Sequence, residues 1–358
     1  MRRLVSRFIG VVAMAITMGV AAPIAQASAA TVNPTSQGFN ILTSPLPIKI
    51  STAPGKTVTT EIRFKNPGDQ PEGVKINLLR FGASREDGQP NLFDLTPKDS
   101  YASWVHFSPS EIIAQPNVWN TVTMTINVPK EASLGYYLAV TFSPVSISSQ
   151  PGAANLKGSA ATLVLLNVNT GNEKPGLNIA QFTSNKGLYE YLPATFDIKL
   201  RNTGNIYIAP TGNLFLYKSG KQIAALNFNT AGGSILPNTN RTFHLDWSDG
   251  FPLYKNKIVD GKTVPDQHAV PKQDLKWDFT KANKLRIGHY TAKVLVVYDD
   301  GKQDVPLEAS VNFWVLPWKV MLLLLLIVIV VGLGIFMFVR SIVRRARDRG
   351  SGQRRGRR

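Results

Sequence analysis

The sequence predicts an all-β chain of two tandem sandwiches, followed by one C-terminal transmembrane helix. Three observations predict it. Short runs rich in Val, Ile, Thr, Phe and Tyr, bounded by Gly, Pro, Asn and Asp, fill the middle of the chain. A nine-residue pattern occurs twice, as EIRFKNPGD at Glu61–Asp69 and DIKLRNTGN at Asp197–Asn205. A charge-free apolar run, VMLLLLLIVIVVGLGIFMFV, occupies Val320–Val339.

The start of the chain, 1–29, reads as a signal peptide. Arg2, Arg3 and Arg7 form a positive n-region, and Phe8–Ala22 is an apolar run. Ala25-Gln26-Ala27 and Ala27-Ser28-Ala29 fit the small-x-small cleavage rule. Cleavage is expected after Ala27 or Ala29. An uncleaved anchor is the alternative, and Pro23 with the Ala-rich end favours cleavage.

Two sandwich domains are expected at 30–170 and 176–317. Their strand-like runs are Thr57–Phe64, Gly73–Leu79, Thr121–Val128, Tyr136–Phe142 and Ala161–Val168, then Ala194–Leu200, Asn213–Tyr217, Arg241–Trp247, His289–Tyr298 and Leu307–Val315. Several alternate: in TVTMTINV, Val122, Met124, Ile126 and Val128 share one face, as in a sheet with one buried side. Asp299-Asp300-Gly301 reads as a hairpin turn, and Glu86-Asp87-Gly88 as a hairpin tip. Each copy of the repeat leads on to a Gly-aromatic step, Gly135-Tyr136-Tyr137 or Gly288-His289-Tyr290, and then a last strand. Thr170–Gly176 has linker composition. About seven strands in each unit suggests immunoglobulin-like sandwiches. The second unit is longer, and a polar, Lys-rich, loop-like insertion at Asp249–Lys284 accounts for the excess.

The repeated pattern itself reads as a strand and its exit turn. Ile62 and Phe64, or Ile198 and Leu200, point to a core. Arg63, Lys65, Lys199 and Arg201 stand on the wet face. In Asn-x-Gly the glycine tolerates positive φ, and the Asn side chain bonds nearby backbone.

Val320–Val339 rises about 30 Å as a helix, the hydrocarbon thickness of a bilayer. Trp314, Trp318 and Lys319 stand at its start as membrane-interface residues. The tail 340–358 holds nine arginines against Asp348 alone. Arg340, Arg344, Arg345 and Arg347 open it as a basic anchor. Positive charge stays cytoplasmic, which places the tail inside and the sandwiches outside. The net charge of +17 is thus concentrated at the two ends of the chain. With no aromatic residue after Phe338 to stack on bases, nucleic acid is not an expected partner.

The first sandwich resembles the peptidoglycan-binding immunoglobulin-like domain of the bacterial WxL-interacting protein family. The residues that carry the resemblance are Pro54-Gly55, Asn66–Asp69, Trp104–Pro109, Val128-Pro129 and Gly135–Tyr137, within about Leu46–Pro144. The second, with Asn202–Asn205, resembles the membrane-proximal domain that follows in such proteins. Gln115-Pro116-Asn117 departs from the family's usual Pro-Gly turn. The resemblance implies binding of cell-wall polymer or a surface protein.

No residue pattern asks for catalysis. The chain has no cysteine, which excludes disulfides, thiolate metal sites and a cysteine nucleophile. His106, His244, His268 and His289 lack metal-ligand spacing. There is no Gly-x-Ser-x-Gly, and Asp246–Gly250 is at most half a calcium loop. No cofactor is expected. Trp247 and Trp277 flank the insertion and are the candidates for ligand contact. The leading expectation is a membrane-anchored, non-catalytic surface protein that binds cell-wall polymer or another surface protein. The alternative is an assembly or chaperone-like membrane protein holding secreted or pilus-type subunits.

Overall fold

The computed structural model describes residues 39–83, 86–145, 160–259, 262–263 and 272–352, with the side chains of the terminal helix described as far as Val343. The segment 1–29 expected to be a signal peptide lies outside them, as does His268.

The first sandwich comprises β1 (Leu42–Ser44), β2 (Ile48–Thr52), β3 (Thr57–Lys65), β4 (Glu72–Ala83), β5 (Pro90–Phe93), β6 (Val105–Ser108), β7 (Glu111–Ala114), β8 (Trp119–Asn127), β9 (Leu134–Pro144) and β10 (Ala160–Val168). One sheet has the order β1-β3-β8-β6. The other has the order β2-β10-β9-β4-β5, with β7 also on β4. Alternation decides the core. Ile62 and Phe64 of β3 and Val122, Met124 and Ile126 of β8 are fully buried. They meet Leu138, Val140 and Phe142 of β9. The rings of Phe64 and Phe142 lie 4.8 Å apart across the two sheets.

The second sandwich comprises β11 (Leu177–Ser184), β12 (Leu188–Tyr189), β13 (Ala194–Asn202), β14 (Thr211–Lys218), β15 (Lys221–Phe228) and β16 (Asn240–Trp247). After an insertion carrying β17 (Leu253–Asn256), β18 (Ile258–Val259), β19 (Lys262–Thr263) and β20 (Gln273–Lys276), it ends with β21 (Gly288–Asp299) and β22 (Asp304–Val315). Its sheets are β11-β13-β16 and β12-β22-β21-β14-β15.

The two topologies correspond. In each, the first strand pairs antiparallel with the strand carrying the repeated pattern, β1 with β3 and β11 with β13. The chain then crosses to the other sheet and runs parallel to the last strand, β2 beside β10 and β12 beside β22. These are two tandem immunoglobulin-like sandwiches. The expected hairpin at Asp299-Asp300-Gly301 joins β21 to β22, with Gly301 at φ +86°.

The described parts of the insertion hold more regular structure than its loop-like composition suggests. Between β8 and β9 the first sandwich needs only 128–133, whereas the second runs through 248–287. That segment forms the β17–β20 ladder and a 3-10 turn at Phe279–Lys284. Asp249 clamps its ends: the carboxylate is paired with Lys284 and, at 2.7 Å, with Arg286.

Two residues after β22 the chain enters α1 (Trp318–Gly352). Trp318–Val343 is long and apolar enough to cross a membrane, and its apolar stretch is not buried against the sandwiches. Leu316 N–H donates to the Tyr189 carbonyl at 2.8 Å, and Lys319 meets the Glu190 carboxylate at 2.6 Å. The helix therefore leaves the second sandwich through a short, bonded junction.

Candidate functional site

The repeated Asn-x-Gly forms one hydrogen-bonding device in both sandwiches. The Asn66 carboxamide oxygen accepts from Gly68 N–H at 2.9 Å. Its nitrogen donates to the carbonyls of Gln70 at 2.7 Å and Ala114 at 3.1 Å. Asn202 repeats this with Gly204 N–H at 2.8 Å and the carbonyls of Ile206 and Ile235, both at 2.8 Å. Both asparagines are buried. Each ties the strand exit to a distant segment, Asn66 to the end of β7 and Asn202 to the loop at Ile235, which is a structural duty.

The glycines do a different job from the one expected. Neither Gly68 nor Gly204 is among the residues at positive φ. Close approach is what excludes a side chain at Gly204, because a Cβ there would collide with the Lys174 carbonyl and with Gly176 N at 2.7 Å. The first copy has no such neighbour, and a Cβ at Gly68 would meet only the Asn66 carboxamide oxygen at 2.9 Å. The Gln115-Pro116-Asn117 departure is absorbed locally: Asn117 adopts φ +60° and its N–H donates to the Asn66 carbonyl at 2.7 Å. Asparagine tolerates that left-handed conformation, so the turn survives without glycine.

The second copy also holds the linker. Thr203 N–H donates to the Gly176 carbonyl at 2.8 Å, and Lys174 N–H to the Asn205 carboxamide oxygen at 2.7 Å. Glu173 accepts from the N–H groups of Thr170 at 2.6 Å and Gly171 at 2.9 Å. The linker is thus tied at both ends.

The tip between β4 and β5 braces the sandwiches against each other. Glu86 pairs with Lys199 at 2.6 Å and accepts from the Asn240 side chain at 3.2 Å. Its carbonyl accepts from Thr242 N–H on β16 at 2.5 Å. The hydrogen bonds from Lys199 and Asn240 hold the Glu86 carboxyl below the usual carboxylate range. Across the junction, Lys49 donates to the Gly232 carbonyl at 3.0 Å.

These contacts frame a cleft of about 270 Å³ between the sandwiches. Leu46, Pro47, Phe81, Leu163, Leu165 and Leu236 give it an apolar lining, and Arg241 supplies a cation. Arg241 donates to the Ser234 carbonyl at 2.9 Å and lies over the Phe243 ring. Its Nε is buried with no acceptor among the described residues. Burial lowers its pKa, against the opposing charge of Asp87. Sequence reasoning missed this site, because its walls come from five separate stretches of chain. The one visible signal was the hairpin tip.

The expected ligand tryptophans separate. Trp247 is fully buried, which corrects its expected role as a contact residue. It continues the inward alternation of Phe243 and Leu245, and its ring packs 5.2 Å from Tyr290 and 6.2 Å from Phe313. That alternation was readable in the FHLDW run itself. Trp277 is 53% exposed. Trp314 and Trp318 are both exposed at the helix junction, with Trp314 4.9 Å from His289. Arg340 lies on α1, while the side chains of Arg344, Arg345 and Arg347 lie outside those described.

Asp246 lies in β16 and accepts from the Thr195 hydroxyl at 2.7 Å, and Asp249 is salt-bridged to Lys284 and Arg286, so the two carboxylates have partners within the fold. Among the described residues no group of His, Asp and Glu could hold a metal ion.

No protein-family model matches the chain, and no curated protein matches it. Solved structures similar to it include the class 5 fimbriae chaperone CfaA, at 13% identity and TM-score 0.36, with 75% of this chain and 98% of that one covered. The Pseudomonas aeruginosa CupB2 chaperone is similar at 8% identity and TM-score 0.31, covering 75% and 100%. The E. coli chaperone DraB is similar at 12% identity and TM-score 0.30, covering 76% and 98%.

Proposed function

We propose that this is a membrane-anchored, non-catalytic protein that holds a secreted polypeptide in the cleft between its two sandwiches. α1 is the anchor. The Arg-rich tail lies in the cytoplasm and both sandwiches outside, following the charge asymmetry around the helix.

The observation that carries the reading is the cleft lining. Aliphatic walls with one convergent cation suit a polypeptide segment, whose side chains fill the walls and whose carbonyl or carboxylate meets Arg241. A sugar polymer asks instead for dense polar partners and exposed aromatic faces. With Trp247 in the core, Trp277 alone remains of the two tryptophans expected to contact a ligand.

The test is photo-crosslinking in cells from a photoreactive residue at Leu236 of the full chain. A discrete protein adduct, lost in Arg241→Ala, is the expected result. Retention of the purified protein on peptidoglycan, with no protein adduct, would overturn the reading in favour of wall binding.

A further inference from the structure

The insertion of the second sandwich leaves an aromatic tip in solvent. Phe279 is 73% exposed, Trp277 53% and Ile258 65%. Trp277 and Phe279 stack on each other at 6.2 Å, and both rest on Phe251, at 5.7 and 5.4 Å. A soluble fold gains nothing by presenting these rings to water. Burying such a patch elsewhere is favourable at roughly 25 cal/mol per Å².

The position of the tip says what covers it. Trp277 packs 6.3 Å from Tyr191, and Tyr191 packs 6.2 Å from Tyr254. The Tyr254 hydroxyl donates to Glu190 at 3.1 Å, and the same carboxylate holds Lys319 at the first turn of α1. The insertion backbone is tied to this end as well, through Tyr254 N–H to the Leu192 carbonyl at 2.8 Å. A continuous run of contacts thus leads from the helix entrance to Trp277 and Phe279. The β21–β22 hairpin tip lies at the other end of its strands, about 36 Å away.

The charge agrees. Over 249–284 the sequence carries seven lysines against five aspartates, and Lys255, Lys276 and Lys281 lie together beside Phe251. Aromatic rings flanked by lysines are the composition of a surface that lies in a lipid headgroup layer.

We infer that the Trp277–Phe279 tip of the insertion is a second membrane contact, seated in the outer headgroup layer beside α1, with Lys255, Lys276 and Lys281 on lipid phosphates. This rests on the reading of α1 as a membrane anchor. The second sandwich would then be held at two points, which fixes its tilt and the direction in which the cleft faces.

The absence of cysteine permits clean labelling. In full-length protein reconstituted in vesicles of phosphatidylcholine and phosphatidylglycerol, single variants Phe279→Cys, Lys302→Cys and Val328→Cys each carry an environment-sensitive fluorophore. Nitroxide-labelled lipids serve as quenchers. The expected result is blue-shifted, quenched emission at positions 279 and 328, and water-like, unquenched emission at 302. Quenching at 328 with water-like emission at 279 would overturn the second contact and leave the anchor standing. Lack of quenching at 328 would overturn the anchor, and with it this inference. A label at 279 that stays water-like on vesicles but shifts with purified peptidoglycan fragments would reassign the tip to sugar binding.

Discussion

Asn202 makes the same three hydrogen bonds in the second sandwich that Asn66 makes in the first: one from the N–H two residues on, one to the carbonyl four residues on, and one to a carbonyl far away in the chain. Replacing either with Ala strands buried backbone groups, at about 1–3 kcal/mol for each group left unpaired. We expect Asn66→Ala and Asn202→Ala each to lower stability by about 2–4 kcal/mol in denaturant titration. Only Asn202→Ala should also alter the spacing of the sandwiches in small-angle scattering, because only the second turn holds the linker.

Gly204→Ala places a methyl group against the Lys174 carbonyl and Gly176 N. Backbone cannot step aside as a side-chain end can. Faster proteolysis within 169–176 is the expected outcome, whereas Gly68→Ala leaves that linker as resistant as in the parent protein.

The Glu86 carboxylate pairs with Lys199 only while ionised. Its pKa lies below the ordinary carboxylate value, so the contact is complete above that value and is lost as pH falls through the lower folded one. Spin labels on the two sandwiches should report a broader distance distribution on acidification below about pH 4. Glu86→Gln should show the same broadening at neutral pH, with little further change in acid.

The Asp249 clamp has the same sign. Burial pushes its pKa up, but hydrogen bonds and charge from Lys284 and Arg286 outweigh this and hold it low. The insertion is therefore closed at neutral pH and opens as the carboxylate is protonated. Asp249→Asn should raise amide exchange across 251–259 and 272–285 at pH 7, while amides of β3 and β8 keep their protection.

Trp247 and Trp277 should respond oppositely to truncation. Trp247→Ala removes a fully buried indole and is expected to cost about 3–5 kcal/mol. Trp277→Ala, at an exposed position, should change stability by no more than about 0.5 kcal/mol in detergent solution. Thermal unfolding of the two variants checks this.

How far the sequence could be read depended on the range of the interaction. The long strands were visible because their period-2 pattern is written locally, as in Val122, Met124 and Ile126. The short ones were not. β12 is two residues long and exists because Leu188 and Tyr189 pair with Trp314 and Val315, far away in the chain. β17 and β20 likewise depend on each other across the insertion. Lys199, placed on a wet face by alternation, proved to be the partner of Glu86 from the other sandwich.

From its sequence alone this protein is determined to be two copies of one β architecture, with an apolar helix after them and no cysteine to staple either copy. Periodicity, turn residues and run length are local properties, and local forces enforce them. Only the tertiary structure decided that Trp247 is core and Trp277 surface, that a hairpin tip braces one sandwich on the other, and that the insertion lies beside the helix. Each of those depends on which distant segments pack together, and packing is set by the burial of whole faces rather than by any single stretch of chain.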